Sequence, residues 1–294
     1  MASLSNAIVH PRSLRLDPWA IFLWVAAWLI LAAFLWVLLD LIGRGLGQVS
    51  WSFILNEPEN AGRAGGIGPI LVSTLLILLV CLATAVPLAI AVAVFLVEML
   101  PQGTRLGRVV QISLDTLAAV PSVVFGLFGN AFFCIALGLG FSILSGGLTL
   151  ACMVLPLLIR TTESSIRSVP QRYRLAALSL GLSKTRLILR LVIPLAAPGI
   201  VVGTLLALGR GMAETVALVF TSGYVDRMPS SLMDSGRSLS IHVFDLAMNV
   251  PGGDANAYGT GVVLVVALLL INGAVLWLAR AWRLKTGLAV VTAA

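Results

Sequence analysis

RTTESSIRSVPQRYRLAALSLGLSKTRLILRLVIP, residues 160 to 194, is the only long, strongly basic segment between apolar runs, and the layout of the whole chain follows from it. It carries seven Lys/Arg against one acid, and basic connections between membrane spans are held on the cytoplasmic side. The residues predict two short helices around a break. Ser168 is placed to cap the first, with Pro170 in its first turn and Gln171 three residues on in the capping-box position. Gly181 supplies the stop. Leu175, Ala176, Ala177 and Leu178 give this helix an apolar, small-residue side, while Arg172 and Arg174 are left to water or phospholipid. A helix of this kind can dock on a partner.

Composition sets the class. With 294 residues, 59% apolar and only 11% charged, the chain reads as an all-α polytopic membrane protein. Its formal charge of +7 does not indicate nucleic acid, because the basic residues cluster between hydrophobic runs. Cys81, Cys134 and Cys152 lie in apolar runs without paired spacing and read as small buried hydrophobes. His10 and His242 are far apart and have no neighbouring Cys or His, so no metal site is expected.

Six spans follow, with both termini cytoplasmic. Residues 1–18 form a basic amino-terminal segment, and residues 19–67 hold a first span from Trp19 to Leu39 and an external loop with Trp51 and Phe53 as interfacial anchors. Residues 68–283 form the main transmembrane domain, and 284–294 a cytoplasmic tail. Within that domain the second span runs from Gly68 to Val97 with a bend at Pro87, and the third from Val109 to Leu137 with breaks around Pro121, Ser122, Gly126 and Gly129. The fourth covers about Leu148 to Ile159 together with preceding apolar residues, and the basic connection 160–190 follows. The fifth runs from Leu191 past Ser222, bent at Pro194 and Pro198, and the sixth from Tyr258 to Ala279. This layout puts 14 of the 19 Lys/Arg on the inner side, four outside (Arg44, Arg63, Arg227 and Arg237) and one, Arg210, within a span.

GRGMAET, residues 209 to 215, places an arginine and a glutamate four apart in an otherwise apolar span. A charge at mid-membrane costs about 2.5–3.5 kcal/mol on insertion scales, so Arg210 and Glu214 are read either as lining a pathway or as a compensated pair that locks helix packing. A guanidinium never loses its charge and donates two parallel hydrogen bonds, which suits a tetrahedral oxyanion, phosphate and sulfate alike. The chain contains no GxxxxGK[ST] nucleotide loop, nucleophile elbow or metalloprotease motif. No catalysis is expected of it.

Ala176-Ala177, with Gly181 four residues later and Leu191, Ile193 and Pro194 beyond, resembles the EAA loop of bacterial ABC importer permeases, with Leu175 where the family usually has Glu. More widely, AVPSVVFGLFG (119–129), RTTESSIRSVP (160–170) and LGRGMAETVALVFTSG (208–223) resemble the phosphate-specific permeases of the PstA type, with Ala213 where Gly is usual. The resemblance implies an ABC importer type I permease fold in the bacterial inner membrane. It implies a cytoplasmic coupling helix in which Ala176, Ala177 and Gly181 engage a separate ATPase, and a substrate pathway at Arg210, Glu214 and Thr215. It also implies inorganic phosphate as cargo, a second permease of the PstC type as heterodimer partner, two ATPase subunits of the PstB type, and an external phosphate-binding protein of the PstS type. ATP and Mg would be held by the ATPase, with membrane lipid around the spans and no cofactor in this chain. Two alternatives stay open: a permease for sulfate, molybdate or phosphonate, and a non-transporting membrane scaffold in phosphate sensing.

Overall fold

The computed structural model describes residues 18–101 and 103–285, with side chains for 19–101 and 103–281; the amino-terminal segment with Arg12 and Arg15, the side chains of Arg283 and Lys285, and the tail from 286 lie outside this description. Two units are distinguished, the first ending at Gly43 and the second starting at Arg44. The first is the greater part of one helix, α1 (Pro18–Gly45), uncharged from Trp19 to Leu39. At 1.5 Å per residue its 28 residues exceed a hydrocarbon core of about 30 Å.

The second unit holds every other element. After a 3-10 turn come a short helix α2 (Trp51–Leu55) and a two-stranded hairpin, β1 (Pro58–Glu59) against β2 (Ala64–Gly65). Trp51 is exposed as expected of an anchor, but Phe53 is buried with Ile67, Ile70, Leu239 and Val263, so it seals the hairpin instead of facing lipid. α3 (Gly68–Val94) continues as a wider π turn through Met99, with Pro87 inside it. Next come α4 (Arg105–Ala118) and α5 (Ser122–Gly129), the latter extended by a π segment to Ala136.

The single third span expected over 109–137 is two helices bent by 100°. Pro121 has no N–H to give and drives Val120 away from helical backbone angles, so the ladder stops there. Gly126 and Gly129 break nothing. A Cβ on Gly126 would meet the Ala217 backbone at 2.9 Å, and one on Gly129 would meet Thr149 Cγ2 at 2.7 Å. They are sites of close helix approach.

α6 (Ile143–Arg167), capped by Ser142 Oγ accepting from the Ser145 N–H at 3.1 Å, takes in the apolar residues before Leu148 and runs on past Ile159 to Arg167. The basic segment therefore begins inside a helix. α7 (Gln171–Ser179) and α8 (Lys184–Leu187) follow, and after a π turn α9 (Ile193–Ala213). The fifth span ends at Ala213 and not past Ser222, because the backbone at Glu214 is extended (φ −76°, ψ 125°). A four-residue helix α10 (Val216–Val219), then α11 (Leu239–Met248) and α12 (Asp254–Lys285), complete the chain.

Among the described residues five helices are long and apolar enough to cross a membrane, and the bent α4–α5 pair makes six if it counts as one broken span. α3 packs chiefly on α6, and α6 on α9. Ala85 and Ala89 are buried four residues apart in α3, and Gly147 of α6 leaves no room for a side chain against Val80. Where the solvent is lipid, such small-residue seams let backbones approach and dispersion hold them. Around the seam Ile77, Leu150, Val154, Leu158 and Leu218 form one buried cluster.

Candidate functional site

Two places gather the residues singled out from the sequence. The first is α7 and its exit. Ala177 is buried in a cluster with Ile166, Leu187, Ile188 and Val192, together with Ala93 and Val94 from the end of α3. On the same helix Ala176, Leu175 and Leu178 are exposed, as is Leu180 just beyond it. An apolar helical face turned outward at a basic end of the molecule is what a docking helix requires. Gly181 ends the helix at φ +76°, and a Cβ there would touch nothing, so glycine is needed for its backbone angle and not for space.

The fastening of α7 differs from the expected capping box. Its N-cap is Pro170, without a side-chain bond, and Ser168 Oγ instead donates to the Ser165 carbonyl at 2.7 Å, finishing α6. Arg174 is not left to solvent. It pairs with Glu98 at the end of α3 and donates through Nη2 to the Ile166 carbonyl at 2.7 Å. Both side chains are nearly buried, so this ion pair and Ala177 pin α7 to two spans at once.

The second place is the break between α9 and α10. Arg210 stands in the last turn of α9, where a cation complements the negative end of the helix dipole. It is exposed, and among the described residues it makes no ion pair and no side-chain hydrogen bond. The compensated Arg210–Glu214 pair is absent there. Glu214 turns away because its backbone has left the helix: its Oε1 accepts from the Ala217 N–H at 3.1 Å, and its carbonyl accepts from Ser240 Oγ at 2.6 Å. Thr215, half-buried, starts α10. The structure brings the three residues to one break, with glutamate holding the turn and arginine presented. Counted along the helix, Arg210 lies about 30 Å from Arg190, near the opposite end of the span.

Two polar networks were not anticipated. Across α4 and α6, Arg160 pairs with Asp115 and donates to the Gln111 carbonyl at 3.2 Å, while Arg167 donates to Glu163 Oε1 through Nε at 3.1 Å and Nη2 at 2.8 Å. The four-residue spacing of Glu163 and Arg167 was the available signal. At the other end, Arg237 Nη1 meets Asp245 at 3.1 Å and His242 Nδ1 at 3.2 Å, and Arg237 Nε donates to the Tyr224 carbonyl at 2.9 Å. Burial first, then the Arg237 charge, pushes the His242 pKa down to about 4 against the pull of Asp245, so the ring is neutral and accepts at Nδ1. No local spacing signals this cluster, which joins a loop to a helix.

Residues 85–284 match the family model described as "Binding-protein-dependent transport system inner membrane component", and the chain belongs to that family of ABC importer permeases. The resemblance to PstA-type permeases drawn from the motifs agrees with the relatives. The chain is 31% identical over 253 residues to the "Probable ABC transporter permease protein YqgI" of Bacillus subtilis (strain 168), covering 81% of this chain and 86% of that one. It is 33% identical over 244 residues to the "Phosphate transport system permease protein PstA 1" of Mycobacterium tuberculosis (strain CDC 1551 / Oshkosh), covering 81% and 79%. In fold it resembles a chain of a bacterial ABC transporter involved in the import of the acidic polysaccharide alginate, at TM-score 0.61 and 14% identity, covering 88% of this chain and 96% of that one. A chain of the MetNI methionine ABC transporter in an inward-facing conformation aligns at TM-score 0.56 and 16% identity, covering 74% and 94%. At such identities the likeness speaks for the fold alone.

Proposed function

We propose that this chain is one permease half of an ATP-driven importer of inorganic phosphate in the bacterial inner membrane, with both termini in the cytoplasm. The observation that carries the reading is Arg210: an exposed guanidinium at the end of an apolar span, beside a break in the helix and without an internal partner among the described residues. A fixed charge in that position lowers the barrier to an oxyanion entering the membrane, and the names of relatives as phosphate transport permeases support phosphate as that oxyanion. Arg210, Glu214 and Thr215 form the pathway, with Glu214 keeping the arginine free by binding the Ala217 N–H.

In this reading a second, PstC-type permease faces the chain across the pathway, and a PstS-type binding protein delivers phosphate from outside. Two PstB-type ATPases, holding ATP and Mg, receive the exposed face of α7. Their closure pushes on α7, and Ala177 and the Arg174–Glu98 pair pass that displacement to α3 and α6. ATP-dependent uptake of labelled phosphate into liposomes containing the complete assembly tests the reading, with sulfate, molybdate and phosphonate as competitors. Uptake displaced only by phosphate is expected. Uptake displaced by another anion reassigns the cargo, and ATP hydrolysis without any uptake removes transport in favour of a sensing scaffold.

A further inference from the structure

Beside the Arg167 end of α6, the turn between α3 and α4 borders a half-open cavity of about 240 Å³ that is separate from the α9–α10 break. Leu96 and Leu100 form its apolar wall; Thr104, Gly107, Arg108, Gln111 and Arg167 form its polar one. Its volume leaves room for a phosphate group with part of its hydration.

The donors around the cavity are not used up. Arg108 is exposed and makes no ion pair or side-chain hydrogen bond among the described residues. Arg167 spends Nε and Nη2 on Glu163 Oε1, which leaves its Nη1 edge to donate. Thr104 Oγ1 accepts from the Gly107 N–H at 3.3 Å, so its hydroxyl proton is still available. The positive end of the 14-residue helix α4 points to the same place. The nearby carboxylates are engaged by arginines, Asp115 by Arg160, Glu163 by Arg167 and Glu98 by Arg174. Arg108 therefore adds a positive charge that no carboxylate here offsets, and Glu163, 5% exposed, fixes the orientation of Arg167 from within.

We propose that this cavity is a second oxyanion site, one that takes a phosphate group, at the end of the molecule that carries the basic 160–190 segment. The group comes either from free inorganic phosphate, in which case the site senses or delays the imported ion and rests on the import reading above, or from the head of an anionic phospholipid whose tails follow the Leu96–Leu100 wall. Arg108 is the residue that decides binding. The apolar wall and interfacial position fit the lipid source as well as the free ion.

The test uses the assembled complex without its binding protein, in nanodiscs of phosphatidylcholine alone or mixed with phosphatidylglycerol. Radiolabelled inorganic phosphate bound at equilibrium is measured in the neutral discs, and phosphatidylglycerol retained after detergent extraction in the mixed ones, for the native chain, Arg108→Gln and Arg108→Lys. Losing a charged hydrogen bond of this kind weakens binding about tenfold to a hundredfold. A fall of that size in phosphate binding identifies the free ion; a fall in lipid retention identifies the headgroup; in either case Arg108→Lys should restore part of the loss. Native levels of both in Arg108→Gln, or neither ligand held by the native complex, overturns the proposal. Neither readout needs transport, so failed uptake would remove the import reading and leave the site itself to be judged on binding.

Discussion

Arg210 gains its meaning from what its neighbours do. Had α9 continued, Glu214 would sit one turn above and neutralise it; the extended backbone at 214 sends that carboxylate to the Ala217 N–H instead. Gly181 shows the same local logic at the opposite end. Its φ of +76° with an empty Cβ position means that Gly181→Ala should cost about 1–2 kcal/mol from backbone strain alone. Gly181→Asn, which tolerates the left-handed region better, should cost less in the same thermal unfolding series. Equal losses for Ala and Asn would point to a side-chain clash that the structure does not contain. His242 gives a prediction in pH. Above about pH 6.5 folded and unfolded chains both hold it neutral, and it adds no slope. As pH falls from 6.5 towards 4 the unfolded chain takes up the proton first, so stability drops by up to about 1.4 kcal/mol per unit. His242→Asn should flatten that part of the stability profile relative to the native chain; an unchanged slope would mean that the ring is already charged beside Arg237, Asp226 and Asp245.

At the scale of elements, α7 is held by the buried Ala177, the Arg174–Glu98 ion pair and the bond from Arg174 to the Ile166 carbonyl. Glu98→Ala would strand the Arg174 guanidinium in a nearly buried setting, a change that costs about 3–5 kcal/mol in such pairs. Stimulation of ATPase activity by the permease should fall with it, while Arg172→Ala, at an exposed position on the same helix, should leave both stability and stimulation near native levels. If both variants behave alike, the pair does not fasten the helix. The existence of α7 and its glycine stop was legible in residues 168–181 because local propensity decides them. The partner of Arg174 was not, since Glu98 is 76 residues away and only the packing of α3 on α6 brings it near. The same limit explains the third span. Pro121 announced a break, but the 100° angle depends on α5 finding Ala217 and Phe220 against Gly126, a contact between distant segments.

Over the whole molecule, hydropathy was enough to give the apolar stretches and their order, because lipid forces the backbone into helices wherever it crosses. Hydropathy could not show that the fifth span stops at Ala213, since VALVF beyond it is as apolar as the helix before it. That stop is what separates Arg210 from Glu214 and makes the end of α9 a candidate doorway. The chain then has an exposed apolar face on α7 at one end and, near the far end of α9, a charge unpaired among the described residues, joined by the α3–α6–α9 core. The measurement that bears most directly on this account is ATP-dependent phosphate uptake by the reconstituted complex, native against Arg210→Gln, at matched assembly and matched ATP hydrolysis. The account predicts that uptake is lost while hydrolysis continues. Native uptake by Arg210→Gln would contradict it and return Arg210 to the role of a cation that completes the end of a helix.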